Sequence, residues 1–327
     1  MSLLLTSLLM SMIAAVWVWI MGRKDPCGRP WLTTLCLALL LVLPGLAMLP
    51  KVRVEMSHVQ GLGSENAGVW GASEYLTFLW AVMALVMVLR MVRNIWILKK
   101  WITASDPADC HGWQSLIGEC SEMLGLKKMP ELRVKTGLSS PVVAGLIRPV
   151  ILLPATSTEW NEGTRKMAIL HELGHVQRRD LWVRLAAEFA CALHWYNPLV
   201  WWLRAKLLTQ CEYACDALVV EAGADRRSYI RALCDVVESA LTENRPQGVL
   251  AMADHAPLKL RVDRLLGGAR MGNPSWAIVA AVLTTTSALA LTLVRPAYEV
   301  THPEQGSPIY TQSEIDLRHS ADPFPSE

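Results

Sequence analysis

The sequence predicts an α-helical membrane protein with four transmembrane helices and a separate cytoplasmic α+β domain. Its residues are 52% hydrophobic, and they are concentrated in long apolar runs instead of being spread at the spacing of a soluble core. Between the third and the fourth run lies a stretch of about 175 residues with mixed helical and strand-like patterns. A stretch of that length can bury a hydrophobic core of its own.

Four apolar runs are long enough to cross a bilayer. The first has nineteen residues without a charge, which at about 1.5 Å per residue covers the hydrocarbon core of about 30 Å. No basic residue precedes this run and no small-residue cleavage site follows it, so we interpret it as an anchor and not as a signal peptide. The four runs are residues 3–21, 31–49, 75–98 and 276–294.

Basic residues beside these runs predict the orientation, because short loops that carry Lys and Arg stay on the cytoplasmic side. The first connection, the exit of the third run and the approach to the fourth are all basic. We therefore expect a multi-pass protein of the cell inner (plasma) membrane with residues 99–275 in the cytoplasm. The N-terminus, the 51–73 loop and the acidic, Pro-rich tail 295–327 are expected outside, with the tail disordered. Lys51 and Arg53 argue against this orientation, but they are outnumbered.

A metal-binding motif lies in the segment LHELGHVQRRD, residues 170–180. His171 and His175 are four residues apart, so on a helix both imidazoles lie on one face and can reach the same cation. Glu172 lies beside them, where a carboxylate can take a proton from a water activated by the metal. Gly174 has no side chain, which allows another segment to approach closely. The pattern predicts a zinc hydrolase, although an ordinary amphipathic helix with two histidines also fits it.

A third ligand is available at Glu212, in the segment CEYACDALVVEAG. Two histidines and one carboxylate leave a coordination position for water, as hydrolytic zinc sites require. Asp216 lies one helical turn after Glu212, and Asp216 and Asp180 are candidates to orient the ligating imidazoles. Cys211 and Cys215 share this face, so a thiolate site is the alternative. We favour Glu212, since two thiolates would close the coordination sphere.

At these residues the sequence resembles the antirepressor-type membrane metallopeptidases, a family that includes β-lactam-sensing signal transducers. The matching segments are SPVVAGLIRP at 140–149, HELGHVQRRD at 171–180, YNPLVW at 196–201 and EYACD at 212–216. The resemblance implies a zincin-like domain of the gluzincin type, with His171, His175 and Glu212 as zinc ligands and Glu172 as the catalytic base. The sensing members carry a penicillin-binding domain after the last span, whereas about thirty residues follow it here. We therefore do not expect β-lactam recognition.

Other segments of the cytoplasmic domain have weaker patterns. Residues 111–126 are predicted to form an amphipathic helix with Met123 on its apolar face, and three short strands are predicted at 132–135, 142–144 and 150–153. Val142, Val143 and Ala144 are candidates for an edge strand that pairs with an extended substrate, with a purely structural strand as the equal alternative. Most of the eight cysteines lie in this domain, where thiols stay reduced.

Residues 181–203 are apolar enough to imitate a span, but they contain Arg184, Glu188, His194 and Pro198. That many polar or helix-breaking residues argue against a span. We interpret the segment as a buried or interfacial helix that is broken at Asn197. His194 is a candidate contact for the substrate or transition state, although a buried, hydrogen-bonded histidine is the more common case. Asn197 is either a second such contact or the cap of the helix that restarts after it.

Two classes of function fit these features. The first is an integral-membrane zinc endopeptidase that cleaves a cytoplasmic regulator, or itself, after an external signal. The second is a non-catalytic membrane transducer that keeps the zinc fold as a scaffold. The intact Glu172 favours the enzyme, because a scaffold does not need the base. Within the enzyme class, quality-control and prenyl-processing proteases are the alternatives, and four predicted spans are fewer than the prenyl-processing type has.

The expected cofactor is Zn²⁺. The expected partners are the lipid bilayer and a protein or peptide substrate, with a cytoplasmic transcriptional repressor as the candidate substrate and a homodimer as the candidate assembly. No phosphate loop or basic-aromatic cluster is present, so direct nucleic-acid binding is not expected. The basic segment 259–270 is predicted to be a flexible juxtamembrane linker, and it is also a candidate site of self-cleavage.

Overall fold

The structure is a computed structural model that describes residues 3–24, 30–47, 52–56, 72–108, 112–242, 258–267 and 294–298. The chain divides into a larger compact unit, Met1–Pro50 with Trp70–Leu293, and a smaller one, Lys51–Val69 with Val294–Glu327. The described helices of the larger unit are α1 (Leu3–Lys24), α2 (Pro30–Ala47), α3 (Ala72–Thr103), α4 (Trp113–Met123), α5 (Glu162–Arg178), α6 (Asp180–Leu193), α7 (Pro198–Glu221), α8 (Arg226–Thr242) and α9 (Leu258–Gly267).

Helix α3 contains the only segment of the described chain, Glu74–Thr103, that is long and apolar enough to cross a membrane. The core helix of a soluble protein would be buried, but only 6% of the most apolar window of this segment is buried. Exposed apolar side chains such as Phe78, which is 62% exposed, make α3 a candidate membrane span.

The other three predicted spans can be compared with the described helices and strands. Predicted spans 3–21 and 31–49 are helical as α1 and α2, apart from residues 48 and 49, which lie outside the described part. That these helices cross a membrane stays a prediction. The fourth, 276–294, lies outside the described residues except for Val294, which begins a strand. The predicted domain boundary at residue 98 falls within α3, which continues to Thr103.

A four-stranded sheet lies beside these helices. Its strands are β2 (Asp106–Pro107), β3 (Glu131–Lys135), β4 (Val142–Ala144) and β5 (Val150–Pro154), in the order β2-β3-β5-β4. Strand β5 is central and buried along its whole length, as its continuous apolar run predicts for a strand covered on both faces. Strand β3 is parallel to β5 and β4 is antiparallel to it. The three predicted strands are confirmed to within one residue at each end.

Strand β4 is an edge strand that turns back sharply into β5. Gly145 directly follows β4 with a φ of 83°, a conformation that favours glycine. A Cβ atom at this position would lie 2.3 Å from the backbone oxygen of Arg148. Glycine is therefore required here both by the backbone conformation and by the close approach of the chain.

The core has two main parts. The first contains Ile117 of α4, Leu153 of β5 and Leu170 of α5, and it surrounds the helix that carries the metal-binding motif. The second joins α1 and α2 to α6 and α7 through thirteen buried residues. The predicted helix at 111–126 is shorter than expected, and Met123 is 41% exposed because it lies at the helix end. Its assignment to the buried face is therefore wrong.

Two further predictions are corrected. The segment 259–270 is predicted to be a flexible linker, but residues 258–267 form α9, in which Arg261 and Leu265 are buried. The tail is predicted to be disordered, but β6 (Val294–Tyr298) forms a parallel pair with β1 (Val52–Met56) in the smaller unit. The backbone hydrogen bonds of that pair order the start of the tail. Residues 299–327 lie outside the described part of the chain.

Candidate metal centre

Helix α5 presents both histidines of the motif on one buried face. Asn161 caps its N-terminus, where the side-chain oxygen accepts a hydrogen bond of 2.8 Å from the backbone N–H of Thr164. His171 and His175 are 7% and 6% exposed, and the centroids of their rings are 5.0 Å apart. The helical spacing on which the motif depends is therefore present.

Glu212 is brought to these histidines by α7, which crosses α5. Its Oε2 lies 3.3 Å from Nε2 of His171 and its Oε1 lies 3.5 Å from Nε2 of His175. The crossing is close because Gly174 has no side chain. A Cβ atom there would lie 3.3 Å from Sγ of Cys215. Gly174 therefore admits another chain segment, as predicted, and that segment is the helix that carries Glu212.

The three side chains have the geometry of a metal-binding site. One atom from each of His171, His175 and Glu212 lies within 4.8 Å of the others, and all three residues are buried. Ligands at about 2.1 Å from a tetrahedral ion lie about 3.4 Å apart. The two measured separations between Glu212 and the imidazoles are close to that value. The donor set therefore fits one divalent cation.

The outward-facing nitrogen of each histidine has a protein partner. Nδ1 of His175 donates to Oδ2 of Asp180 at 2.9 Å, and Nδ1 of His171 lies 2.9 Å from the hydroxyl of Tyr229. That hydroxyl donates to Oδ1 of Asp216 at 2.7 Å. Such partners fix the orientation of an imidazole and leave Nε2 free for a metal. The structure thus places both predicted carboxylates behind the histidines, Asp180 directly and Asp216 mainly through Tyr229.

Asp180 reaches His175 because the chain turns sharply after α5. Arg179 has a φ of 57° and ends the helix in the left-handed conformation, which is uncommon for a residue other than glycine. Asp180, the next residue, begins α6 and points back to the motif. Burial alone would raise the pKa of Asp180, but the bond and charge of His175 and the charge of Arg178 outweigh it and hold the pKa below its usual range.

Glu212 is ionised despite complete burial. Burial raises its pKa, but the positive charge of His175, the hydrogen bond from His171 and the charge of Arg261 lower it to well below the usual range. Arg184 also donates from Nη2 to Oε1 of Glu212 at 2.8 Å. A carboxylate in this state is ready to act as a metal ligand.

Among the described residues, cysteine ligation has one geometric candidate. His175, Asp180 and Cys215 also lie close enough together to hold an ion, and Sγ of Cys215 is 3.2 Å from Nδ1 of His175. Burial raises the pKa of Cys215 well above its usual range, and burial raises that of Cys211 to about 12. Protonated thiols are poor ligands. The set with Glu212 is favoured, because it uses both histidines and an ionised carboxylate.

The predicted edge strand lies beside the motif helix. Val142 and Val143 line a cavity of about 730 Å³, which also contacts the C-terminal half of α3 and the side chain of Arg184. Ala144 is buried in a small cluster with the centre of β5. Arg184 connects the two sites, because it lines the cavity and also contacts Glu212, but His171, His175 and Glu212 do not line the cavity.

The structure places His194 and Asn197 elsewhere. Both ring nitrogens of His194 are engaged, Nδ1 with the hydroxyl of Ser7 and Nε2 with the carbonyl oxygen of Leu40, each at 2.9 Å. Asn197 caps α7 by accepting from the N–H of Leu199 at 3.1 Å, and its Nδ2 donates to Ser11 at 2.8 Å. His194, at the end of α6, therefore contacts α1 and α2, whereas Asn197, at the start of α7, contacts α1. The described contacts do not support the predicted substrate role.

Three residues that contact the site were not predicted from the sequence to belong to it: Arg184, Tyr229 and Arg261. Arg184 serves in the sequence only as evidence against a span, although a cation within an apolar run is itself a sign of a buried partner. Tyr229 and Arg261 lie in segments with no chemical motif. Burial and the charge of Asp216 hold the pKa of Tyr229 well above its usual range, so its hydroxyl keeps the proton that it donates.

The fold and the site together fit a peptidase-type metal centre in a chain with one candidate membrane helix among its described residues. Comparison with known proteins agrees with this class. The sequence model of the BlaR1 peptidase M56 family matches residues 52–265, more than half of the chain. The chain belongs to this family, which confirms the resemblance to membrane metallopeptidases.

Two kinds of relative are similar over shorter stretches. Regulatory protein BlaR1 of Bacillus licheniformis is 27% identical over 183 residues, which are 55% of this chain and 29% of that protein. Methicillin resistance mecR1 proteins of Staphylococcus aureus and Staphylococcus epidermidis are 30% identical over 112 residues, which are 34% of this chain and 19% of those proteins. The chain thus matches less than a third of the length of these relatives.

Proposed function

We propose that the protein is an integral-membrane zinc-dependent endopeptidase. The observation that carries the proposal is the convergence of Glu212 with Nε2 of His171 and of His175, at 3.3 and 3.5 Å, next to Glu172. Two histidines and one glutamate are a hydrolytic zinc set, because they leave a position for water. Glu172 directly follows His171 in the sequence, so a carboxylate that can act as a base lies next to a ligand. A scaffold without catalysis would need the ligands but not Glu172.

The chemistry divides between the metal and the chain. When bound, the ion polarises the scissile carbonyl and lowers the pKa of a water molecule. His171, His175 and Glu212 would hold it, with Asp180 and Tyr229 keeping the two imidazoles in orientation. Glu172, which is 7% exposed, takes the proton of the attacking water and passes it to the leaving amine.

The substrate would bind as an extended segment along β4. This strand is at the edge of its sheet and, among the described strands, pairs only with β5. Its free side can accept backbone hydrogen bonds from a peptide, whatever the peptide's side chains are. The adjacent cavity lined by Val142 and Val143 would take a side chain of that peptide. We therefore propose a protein or peptide substrate.

The proposed topology keeps four spans, with residues 99–275 in the cytoplasm and both the N-terminus and the tail outside. The parallel pairing of β1 with β6 supports it, because the pairing requires the 51–73 loop and the start of the tail to lie on one side of the membrane. A reporter fused after Ser105 is expected to give a cytoplasmic signal and one fused after Val300 the opposite. A cytoplasmic signal from both fusions would remove the fourth span.

We propose signal-induced cleavage of a cytoplasmic regulator, a transcriptional repressor or the chain itself, as the biological role. Two relatives are named as a regulatory and a resistance protein, which supports a role in a regulated response. Membrane quality control is the second candidate within the enzyme class. A homodimer, with no direct contact to nucleic acid, remains the proposed assembly.

The experiment that tests this role compares protein N-termini in cells that express the wild-type chain or Glu172→Gln, with and without candidate inducers. At least one new cytoplasmic N-terminus is expected to depend on both the inducer and Glu172. A new N-terminus that appears without inducer would favour quality control. If none depends on Glu172, on this chain or on any other protein, the scaffold function replaces the protease.

A further inference from the structure

Helix α9 approaches the metal centre from a segment that the sequence predicts to be a linker. It packs on α7 and α8, and Arg261 and Leu265 point inward, with exposures of 6% and 8%. A charged side chain is seldom buried to this degree unless it has partners. The partners of Arg261 therefore decide what α9 does at the site.

The main partner of Arg261 is Asp216. Nε donates to Oδ2 at 2.9 Å, and Nη2 donates to Oδ1, so the ion pair is bidentate. Nη1 lies farther away, 3.5 Å from Oε2 of Glu212. The guanidinium also lies against His171, with Nη2 3.4 Å from Nδ1. These distances show that Arg261 is held mainly by the carboxylate of Asp216. Its contacts with the candidate ligands Glu212 and His171 are longer.

The hydroxyl of Tyr229 connects this ion pair to His171. A hydroxyl has one proton, and Tyr229 donates it to Oδ1 of Asp216 at 2.7 Å. Toward Nδ1 of His171, at 2.9 Å, the same oxygen must accept. Nδ1 of His171 then carries a proton, so Nε2 is the nitrogen that would bind the metal when the ion replaces its hydrogen bond to Glu212. Oδ1 of Asp216 is the final acceptor of this hydrogen-bond chain, and Arg261 holds that carboxylate in place through the bidentate ion pair.

We propose that Arg261 and Tyr229 are positioning residues of the metal centre. We also propose that the docking of α9 through Arg261 raises the affinity of this centre for its metal. The inference rests on the proposed metal site. Removing Arg261 would leave the charge of Asp216 buried without its bidentate partner, and the side chain could then turn away from Tyr229. The imidazole of His171 would lose its fixed orientation, and the metal would bind less tightly.

The test measures zinc affinity of the full-length chain in detergent by competition with a chromogenic chelator. Tyr229→Phe removes only the hydroxyl and keeps the buried ring, and Arg261→Leu removes the cation. Each is expected to weaken zinc binding by about 10- to 100-fold. Lys259→Leu, an exposed position of α9, is the matched control and is expected to leave the affinity unchanged. The cobalt-substituted Tyr229→Phe protein is expected to show a shifted visible absorption spectrum.

A double-mutant cycle tests whether Arg261 acts through Asp216. Asp216→Asn together with Arg261→Leu is expected to bind zinc no more weakly than Asp216→Asn alone, because residues of one network are not additive. Thermal unfolding of the metal-free proteins separates this role from simple packing, which would lower the melting temperature without changing the affinity. If Arg261→Leu does not fold, Tyr229→Phe decides.

Several outcomes would overturn the inference. Arg261→Leu that binds zinc as tightly as wild type, or more tightly, would mean that the guanidinium is a bystander or a competitor of the metal. Fully additive losses in the double variant would separate Arg261 from Asp216. If the wild-type chain binds no zinc, the proposed function fails as well, whereas a zinc-binding wild type with unaffected variants overturns only the roles of Arg261 and Tyr229.

Discussion

Substitution of His171 by alanine is expected to reduce the zinc content of the purified full-length chain from about one equivalent to background. The two donors that remain, His175 and Glu212, cannot surround the ion. The loss of affinity should exceed the 10- to 100-fold typical of residues behind the ligands, so Asp216→Ala is expected to fall between the wild type and His171→Ala. Metal analysis after gel filtration in detergent measures the content.

Two further variants distinguish the competing ligand sets. Glu212→Ala is expected to lose zinc, because it removes the only ligand from α7 in the favoured set. Cys215→Ala is expected to retain it, since the thiol is a ligand only in the set with His175 and Asp180. The reverse result would contradict the assignment of Glu212. Zinc content that is unchanged in His171→Ala would contradict the set with Glu212 and would leave the set of His175, Asp180 and Cys215.

Glu172→Gln is expected to retain one zinc and its insertion into the membrane but to lose peptide cleavage. The amide has almost the same shape as the carboxylate but is not basic, so the attacking water loses its proton acceptor. General acid–base catalysis of this kind contributes about 10²- to 10⁴-fold, and a fall of that size is expected. Cleavage of a mixed-sequence fluorogenic peptide library by the purified full-length chain is the measurement.

A matched control lies on the same helix. Glu162 is an exposed glutamate in the first turn of α5, and Glu162→Gln is expected to cleave the library at the wild-type rate. It makes the same chemical change ten residues from the motif base. Turnover preserved in Glu172→Gln would assign the proton transfer to another group. An equal loss in both variants would indicate a general effect on α5.

Local patterns in the sequence were sufficient for the motif helix and for the strands. His171 and His175 share a face because any α-helix places residues four apart on the same side, and no tertiary contact is needed for that conclusion. The continuous apolar sequence of β5 predicts a buried strand, and the long apolar sequence of α3 predicts a membrane helix. Both predictions depend only on the low solubility of apolar side chains in water. Local rules also left two alternatives for Asn197, and its hydrogen bond from the N–H of Leu199 shows that it caps α7.

The sequence by itself determined which residues are chemically able to bind a metal, His171, His175 and Glu212, because side-chain type and helical spacing are properties of short segments. Only the tertiary structure decided that α5 and α7 cross at Gly174 and that α9 reaches the site. Tyr229 and Arg261 are 58 and 90 residues from His171 along the chain. Contacts over such separations depend on how several helices pack together, and no spacing rule within one helix contains that information.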